Sequence, residues 1–245
     1  MKHNPINTAS FFFTTTPLPC PYLPDREERR VVTELVGRDA ASLHDTLSLA
    51  GYRRSHNIAY APACPDCDAC KAVRVVAGGF KRTQSHRRVW KLNAGLKGVE
   101  AVAQATEEHY ALFAAYQSAR HGEGEMAKMD YLDYLALIED TPVDTFLVEF
   151  RDPVLGLVAV CLVDRIRNGL SAVYSFFDPA CAKRSLGTFM ILWLLRRAKE
   201  LGLDHVYLGF FIEDCPKMCY KTGFQPLQGI TPQGWRRVTK KKQQT

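Results

Sequence analysis

The 245-residue sequence predicts an α+β fold built on a mixed, mostly antiparallel sheet with helices on both faces. Two observations predict this fold. Apolar runs at residues 145–150, 156–166 and 170–179 are separated by turn signals, which indicates strands joined in hairpins. A long apolar helical pattern at residues 186–201 then leads into a further strand at 205–211 and a short helix at 217–226.

The elements before residue 145 are shorter and more polar. A strand is predicted within residues 26–36, and β segments surround a group of cysteines at 64–70. Helices are predicted at residues 39–51, 85–96, 107–121 and 131–139. The first 25 residues are rich in Thr and Pro, which predicts an extended arm.

A domain boundary is expected near Gly98, where charge density drops and helical periodicity starts afresh. Residues 1–98 are predicted to form a smaller α/β domain with the cysteines and a basic face. Residues 99–236 are predicted to form the larger α+β domain, and residues 237–245 a flexible basic tail.

The composition is that of an ordinary globular protein, with 47% hydrophobic and 24% charged residues. No run approaches the roughly 18 apolar residues of a membrane helix, and no secretory signal is visible, so a cytoplasmic protein without a membrane partner is expected. The eight cysteines of such a protein are expected to be thiols or metal ligands rather than disulfides.

Basic residues concentrate between Gly51 and Val99, where ten Lys and Arg accompany only two Asp. Such a one-sided window is typical of a surface that binds nucleic acid or phosphate. The alternative is a solvated basic face without a ligand.

The order of strands, helix, strand and short helix, ending in Tyr-x-x-Gly-Phe, resembles the GNAT acyltransferase fold, which transfers acyl groups to amines. In that fold a glycine-rich turn and the helix N-terminus hold the pyrophosphate of coenzyme A. The matching segment keeps Arg184 and Gly187 but has Phe189 in place of a second small residue. Phe189 is expected to crowd such a cradle, so the sequence predicts the fold without its usual cofactor.

Two residues of this part are candidates for catalysis. Asp178, at the end of the third strand, could accept a proton from an attacking amine, position that amine, or cap the turn before Pro179. Tyr220 stands where many GNAT enzymes carry a tyrosine that protonates the leaving group, although core packing is the alternative.

Five long segments, at residues 20–35, 51–75, 174–179, 184–193 and 208–226, resemble the arginyl-tRNA–protein transferase superfamily, and more narrowly its bacterial branch. The resemblance implies a family-specific N-terminal domain and a GNAT-like transferase domain. It implies transfer of leucine from leucyl-tRNA to the α-amine of proteins that begin with Asp or Glu, which marks them for N-degron degradation. An aminoacyl ester needs no coenzyme A, which agrees with the altered cradle.

The resemblance also suggests roles for the basic residues. A polyanionic donor gives the basic face a partner, and the candidates for tRNA binding are Arg82, Arg87, Arg88, Lys183, Arg184, Lys217 and Lys221. An acidic N-terminal side chain needs a cation, and arginine suits bidentate recognition of a carboxylate. The candidates for this contact are Arg53, Arg54 and Arg74.

Cys64, Cys67 and Cys70 form a C-x-x-C-x-x-C motif, with Cys20 as a possible fourth ligand. This spacing allows thiolates to converge on zinc or an iron–sulfur cluster. Related eukaryotic transferases carry a second cysteine where Leu23 stands here, so reduced cysteines packed in a loop are the alternative. No cofactor is required for the expected reaction.

Two other functions fit parts of the pattern. One is a coenzyme A-dependent N-acetyltransferase with an accessory domain. The other is an RNA-binding module attached to an inactive GNAT domain.

Overall fold

The structure is a computed structural model that describes residues 10–238. Its α-helices are α1 (Ala40–Leu49), α2 (Gln84–Leu92), α3 (Glu107–His121), α4 (Tyr131–Glu139) and α5 (Leu186–Glu200). Short 3-10 segments occupy Glu125–Lys128, Pro179–Arg184 and Pro216–Gly223. The strands are β1 (Phe13–Thr14), β2 (Leu18–Pro19), β3 (Glu27–Glu28), β4 (Arg30–Glu34), β5 (Arg53–Ser55), β6 (Ile58–Pro62), β7 (Lys71–Val76), β8 (Lys97–Val102), β9 (Thr145–Asp152), β10 (Gly156–Ile166), β11 (Gly169–Phe177), β12 (His205–Phe211), β13 (Leu227–Thr231) and β14 (Gly234–Val238).

The largest sheet has eight strands in the order β14-β13-β7-β12-β11-β10-β9-β8. Strands β11 and β12 are parallel and every other neighbouring pair is antiparallel. The helix α5 makes the crossover between the two parallel strands, as such a connection requires. The predicted mixed, mostly antiparallel sheet is therefore confirmed.

Helices cover both faces of this sheet. On one face α5 buries residues such as Leu186, Met190 and Leu194 in the main core, to which α2 contributes Val89 and Trp90. On the other face α3 and α4 pack against β10 and β11 in a second core. Because β10 is covered on both faces, its sequence is a nearly continuous apolar run rather than an alternating one.

The N-terminal part has a four-stranded sheet in the order β1-β4-β6-β5, and a two-stranded sheet of β2 and β3. The helix α1 packs nearby through Ala40 and Leu47. Strand β7 also comes from this part of the sequence, yet it lies inside the largest sheet between β12 and β13. The predicted boundary at Gly98 stays a proposal, and the two sides share one sheet.

Several elements differ from the sequence-based expectation. Strands β8, β13 and β14 lacked a strong apolar alternation and were not predicted. The last predicted helix is a 3-10 segment, Pro216–Gly223. The predicted tail begins with Arg237 and Val238, which belong to β14; its remaining residues, 239–245, and the first nine residues of the predicted arm lie outside the described part.

Among residues 10–238, none of the helices has the length and apolar character needed to cross a membrane.

Candidate functional site

The two parallel strands of the sheet separate after a short paired stretch. Residues Gly169–Ser171 of β11 pair with His205–Tyr207 of β12, and the pairing ends there. Residues 172–177 and 208–211 then border an opening that we call the strand cleft. Backbone groups on its two lips need partners other than each other, because unpaired buried peptide groups are costly.

Arg53, a residue of β5, enters the strand cleft from the lip formed by β11. Its Nη2 donates to the carbonyl oxygen of Ala172 at 2.6 Å, and its Nη1 donates to Ser171 Oγ at 3.2 Å. The approach requires glycine at position 209, where φ is +77° and a Cβ would lie 3.2 Å from the guanidinium carbon.

The charge of Arg53 is not offset by a carboxylate in direct contact. Its hydrogen-bond acceptors in the described residues are a hydroxyl and backbone carbonyl oxygens, all neutral. Burial lowers the pKa of the Arg53 guanidinium, which reports the cost of removing this cation from water. The strand cleft is therefore an electropositive opening suited to an anionic group.

Lys221 and Tyr220 follow β12 in the 3-10 segment Pro216–Gly223. Lys221 is buried, and its Nζ donates a hydrogen bond to the carbonyl oxygen of Phe210 on the β12 lip of the cleft. The Tyr220 side chain is half exposed, and burial of part of it raises the pKa of its hydroxyl. Lys221 was predicted as a tRNA contact, but a buried ammonium cannot lie against a phosphate backbone at the surface without rearrangement.

Arg54 points away from the strand cleft into a buried ion pair. Its Nε and Nη2 each lie 2.7 Å from a carboxylate oxygen of Asp164, and Thr145 donates to the same carboxylate at 2.8 Å. Because Asp164 already neutralises the Arg54 guanidinium through two hydrogen bonds, a structural role is favoured for Arg54 over substrate binding. The sequence carried a signal for this pair, because Asp164 is the one acid within the apolar run 156–166.

Arg74 is also engaged by the protein. Its Nε donates to Gln228 at 2.8 Å and its Nη1 donates to the hydroxyl of Tyr207 at 2.9 Å. The guanidinium carbon lies 4.3 Å from the centre of the Trp235 ring, within cation–π range. Arg74 thus joins β7 to β12, β13 and β14, and of the three predicted arginines only Arg53 faces the strand cleft.

Asp178 caps the turn that follows β11. Its carboxylate accepts a hydrogen bond from the backbone N–H of Ala180 at 2.8 Å, as expected of a residue before a helical turn. Asp178 is six positions along the chain from Ala172, which corresponds to about 20 Å along an extended strand. Asp178 therefore lies at the far end of the cleft from Arg53.

The expectation that Phe189 crowds the start of α5 is wrong. Phe189 is 3% exposed and packs in the core against Trp90 and Phe150, because the fourth residue of the helix points inward. The aromatic residue at the helix start is instead Phe177, whose ring would lie 3.6 Å from a Cβ placed on Gly187.

Arg184, next to this helix start, turns away from it. Its Nη1 donates to Asp152 at 2.8 Å and its Nε to the side chain of Asn93 at 3.0 Å. These contacts hold α2 near α5 and leave Lys183 as the exposed cation of this turn.

The remaining predicted tRNA contacts fall on α2 and on the turns near the strand cleft. Arg87, Arg88 and Lys217 are exposed. Arg82 stacks on Trp90, with its guanidinium carbon 3.7 Å from the ring centre. The helix α2, which carries these arginines, is capped by Thr83. The Thr83 hydroxyl accepts a hydrogen bond from the backbone N–H of His86 at 3.2 Å.

The four predicted metal ligands line one cavity, together with side chains such as Tyr60 and Phe210; they are Cys20, Cys64, Cys67 and Cys70. Burial and the neighbouring thiols raise the pKa of Cys70 to about 11. As placed, however, these cysteines do not fit a metal site: within residues 10–238 no group of three or more His, Cys, Asp or Glu is arranged to hold an ion.

Comparison with known proteins identifies the family. Residues 18–88 match the family described as arginine-tRNA-protein transferase, N terminus, and residues 108–231 match its C terminus. The chain belongs to this family of aminoacyltransferases.

Among curated relatives, the aspartate/glutamate leucyltransferase of Paramagnetospirillum magneticum is 55% identical over 97% of both chains. The protein of the same name from Rhodospirillum rubrum is 50% identical over 96% of both chains.

Two solved structures are similar at low sequence identity. FemX has a TM-score of 0.48 at 9% identity, covering 77% of this chain and 65% of its own. L-PGS from Bacillus licheniformis has a TM-score of 0.46 at 13% identity, covering 73% and 52%. Both scores are below 0.5, so these two structures support no functional statement.

Proposed function

We propose that the chain transfers leucine from leucyl-tRNA to the N-terminal α-amine of proteins that begin with Asp or Glu. The observation that carries this proposal is full-length similarity to relatives named aspartate/glutamate leucyltransferase. The electropositive strand cleft supports the acidic acceptor, since Arg53 carries a charge without a carboxylate partner in the described residues. The products would enter N-degron degradation in the cytoplasm, where charged tRNA is available.

The proposed acceptor contact is an ion pair between Arg53 and the side-chain carboxylate of the acceptor. Arg53 is held by hydrogen bonds to β11, so little side-chain freedom remains to be lost on binding. A carboxylate entering the cleft would supply the counter-ion that this guanidinium lacks among its direct contacts, and such pairs are strongest where water is excluded. Arg53 differs from Arg54, whose charge is paired with Asp164, and from Arg74, whose guanidinium lies against Trp235 outside the cleft.

The reaction at the donor is aminolysis of an ester. The enzyme must position the amine against the ester carbonyl and supply proton transfer, which is the usual contribution of such a site. We assign protonation of the departing ribose oxygen to Tyr220, whose raised pKa keeps its proton on the hydroxyl at neutral pH. Asp178 is proposed to position the substrates at the far end of the cleft, in addition to capping its turn.

The proposed tRNA surface consists of exposed basic residues on α2 and on two 3-10 segments, namely Arg87, Arg88, Lys183 and Lys217. Exposed cations bind phosphates by releasing counter-ions, so the surface needs no fixed geometry. Arg82, stacked on Trp90, adds an oriented guanidinium at the edge of α2.

The experiment is an assay with radiolabelled leucine. The protein is incubated with charged leucyl-tRNA and either of two peptides that differ only in beginning with Asp or with Ala. We expect label on the Asp peptide alone. Absence of label from the Asp peptide, combined with modification supported by acetyl-CoA, would favour the N-acetyltransferase instead. Tight tRNA binding without any transfer would favour the inactive RNA-binding module.

Metal binding by the four cysteines is a separate proposal. It is supported by their shared cavity and by the spacing of Cys64, Cys67 and Cys70, and it requires the loops that carry them to rearrange. Metal analysis of anaerobically purified protein tests it: stoichiometric zinc or iron would support the site, and a folded, metal-free protein would exclude a structural site and leave reduced cysteines packed in a loop.

A further inference from the structure

Lys221 is a buried lysine that faces no acidic side chain in the contacts of residues 10–238. It is 7% exposed, and its Nζ donates to the carbonyl oxygen of Phe210. Phe210 lies on β12 beyond the last residue paired with β11. Lys221 therefore reaches one lip of the strand cleft, while Arg53 occupies the other.

The surroundings of Lys221 favour its uncharged form. The titratable and charged groups that face it are Arg53 from β5, Cys215 just before the 3-10 segment, and Tyr220 within that segment. Burial, and then the positive charge of Arg53, lower the pKa of Lys221 to about 7. A neutral lysine keeps a lone pair on Nζ while one N–H still donates to Phe210. A phosphate contact would need the charged form at the surface.

We infer that Lys221 is the proton acceptor of the transfer reaction, an inference that rests on the proposed function. The α-amine nitrogen attacks the ester carbonyl carbon of leucyl-tRNA and forms the new C–N bond, and its proton passes to Lys221 Nζ. The bond from that carbon to the ribose oxygen then breaks. The ribose oxygen takes the proton of the Tyr220 hydroxyl, and the Lys221 ammonium returns its proton to the Tyr220 oxygen, so both side chains end as they began.

Tyr220 is the neighbour of Lys221 in the chain, and the acidity of Lys221 suits this exchange. Lys221 Nζ lies 5.9 Å from the centre of the Tyr220 ring, on the adjacent residue. A proton acceptor works best when its pKa lies near the working pH. With a pKa of about 7, Lys221 is largely neutral before the attack and can take the proton that the amine nitrogen must lose once the new C–N bond has formed.

The test is the pH dependence of kcat/KM for an Asp peptide between pH 5.5 and 9. Wild-type protein should show two ionisations, Lys221 near pH 7 and the α-amine near pH 8, because both groups must lose a proton. Below both values log kcat/KM should rise with a slope approaching 2. A wild-type profile with only the ionisation of the peptide amine would overturn the inference, whether or not any variant folds.

Two variants separate proton transfer from charge. Lys221→Met and Lys221→Arg should both lower kcat by roughly 10²–10⁴-fold, with thermal stability and leucyl-tRNA binding measured to show that they fold. In each, only the ionisation of the peptide amine should remain. The matched control is Lys199→Met. Lys199 is an exposed lysine of α5 that, like Lys221, donates to a backbone carbonyl, here that of Phe80. This change should leave the pH dependence of kcat/KM unchanged.

An active Lys221→Arg variant would show that Lys221 acts only as a cation, and the inference would be wrong. Wild-type protein that transfers no leucine at any pH would instead overturn the proposed function, so the two failures are distinguishable.

Discussion

Arg54 and Asp164 form a buried pair, with the two side chains 1% and 0% exposed. Removing one partner leaves the other charge buried without compensation, which costs about 3–5 kcal/mol in comparable pairs. We therefore predict that Arg54→Ala lowers the free energy of unfolding by about that amount in urea denaturation. The control is Arg167→Ala, because Arg167 is 75% exposed in its pair with Asp45. Equal, small effects of both changes would contradict the structural role of Arg54.

Asp178 offers a second test at the scale of one residue. An Asn side chain keeps an oxygen that can accept from the Ala180 N–H, so Asp178→Asn should preserve the cap and the fold. If the carboxylate positions substrate, turnover should fall while the melting temperature stays the same. Unchanged turnover would leave capping as the whole role of Asp178.

Arg53 and Arg54 show how far the role of a single residue can be predicted from the sequence. Arg53 and Arg54 are adjacent and chemically identical, yet alternation along β5 sends one to the strand cleft and the other to Asp164. Which face is which depends on how β5 packs on β11, a long-range contact that no local pattern contains. The residue type suited to a carboxylate could be predicted, but the particular arginine could not.

The helix α2 is the element that we expect to bind tRNA. Arg87 and Arg88 are exposed on it, and each phosphate contact contributes about 0.9 to the slope of log K against log salt concentration for a duplex. The double change Arg87→Gln with Arg88→Gln should therefore weaken tRNA binding and reduce that slope by up to about 1.8. The KM for the acceptor peptide should stay constant. An unchanged salt slope would exclude this face from the tRNA contact.

Elements differ in how well their own sequence defines them. α3 and α4 were predicted at their observed bounds because each has capping residues and an amphipathic pattern. β13 and β14 were missed because their pairing with each other and with β7 defines them, and the chain between them is a short turn. The strand cleft itself follows from the end of β11–β12 pairing, which is a property of two strands and the helix between them.

The whole molecule should lose stability in mildly acidic solution. Burial lowers the pKa of His44, His86 and His205 below the ordinary value of about 6.5. Below about pH 6.5 the unfolded chain then binds more protons at these histidines than the folded chain does, so the stability that they contribute is complete above this pH and falls as pH decreases. The urea midpoint should drop between pH 7.5 and 5.5, and His44→Gln should make that drop smaller. A midpoint that is constant or rises would contradict the burial of these neutral imidazoles.

The fold as a whole places Arg53, from the N-terminal part of the chain, in the strand cleft between β11 and β12 of the largest sheet. The measurement that tests this most directly compares kcat/KM for two peptides that differ only in beginning with Asp or with Asn. Wild-type protein should prefer Asp, and Arg53→Met should lower the Asp-to-Asn ratio by at least about thirtyfold. Arg74→Met, which removes an arginine outside the cleft, should keep the ratio even if it lowers stability. An Arg53→Met protein that retains the wild-type preference would contradict the account.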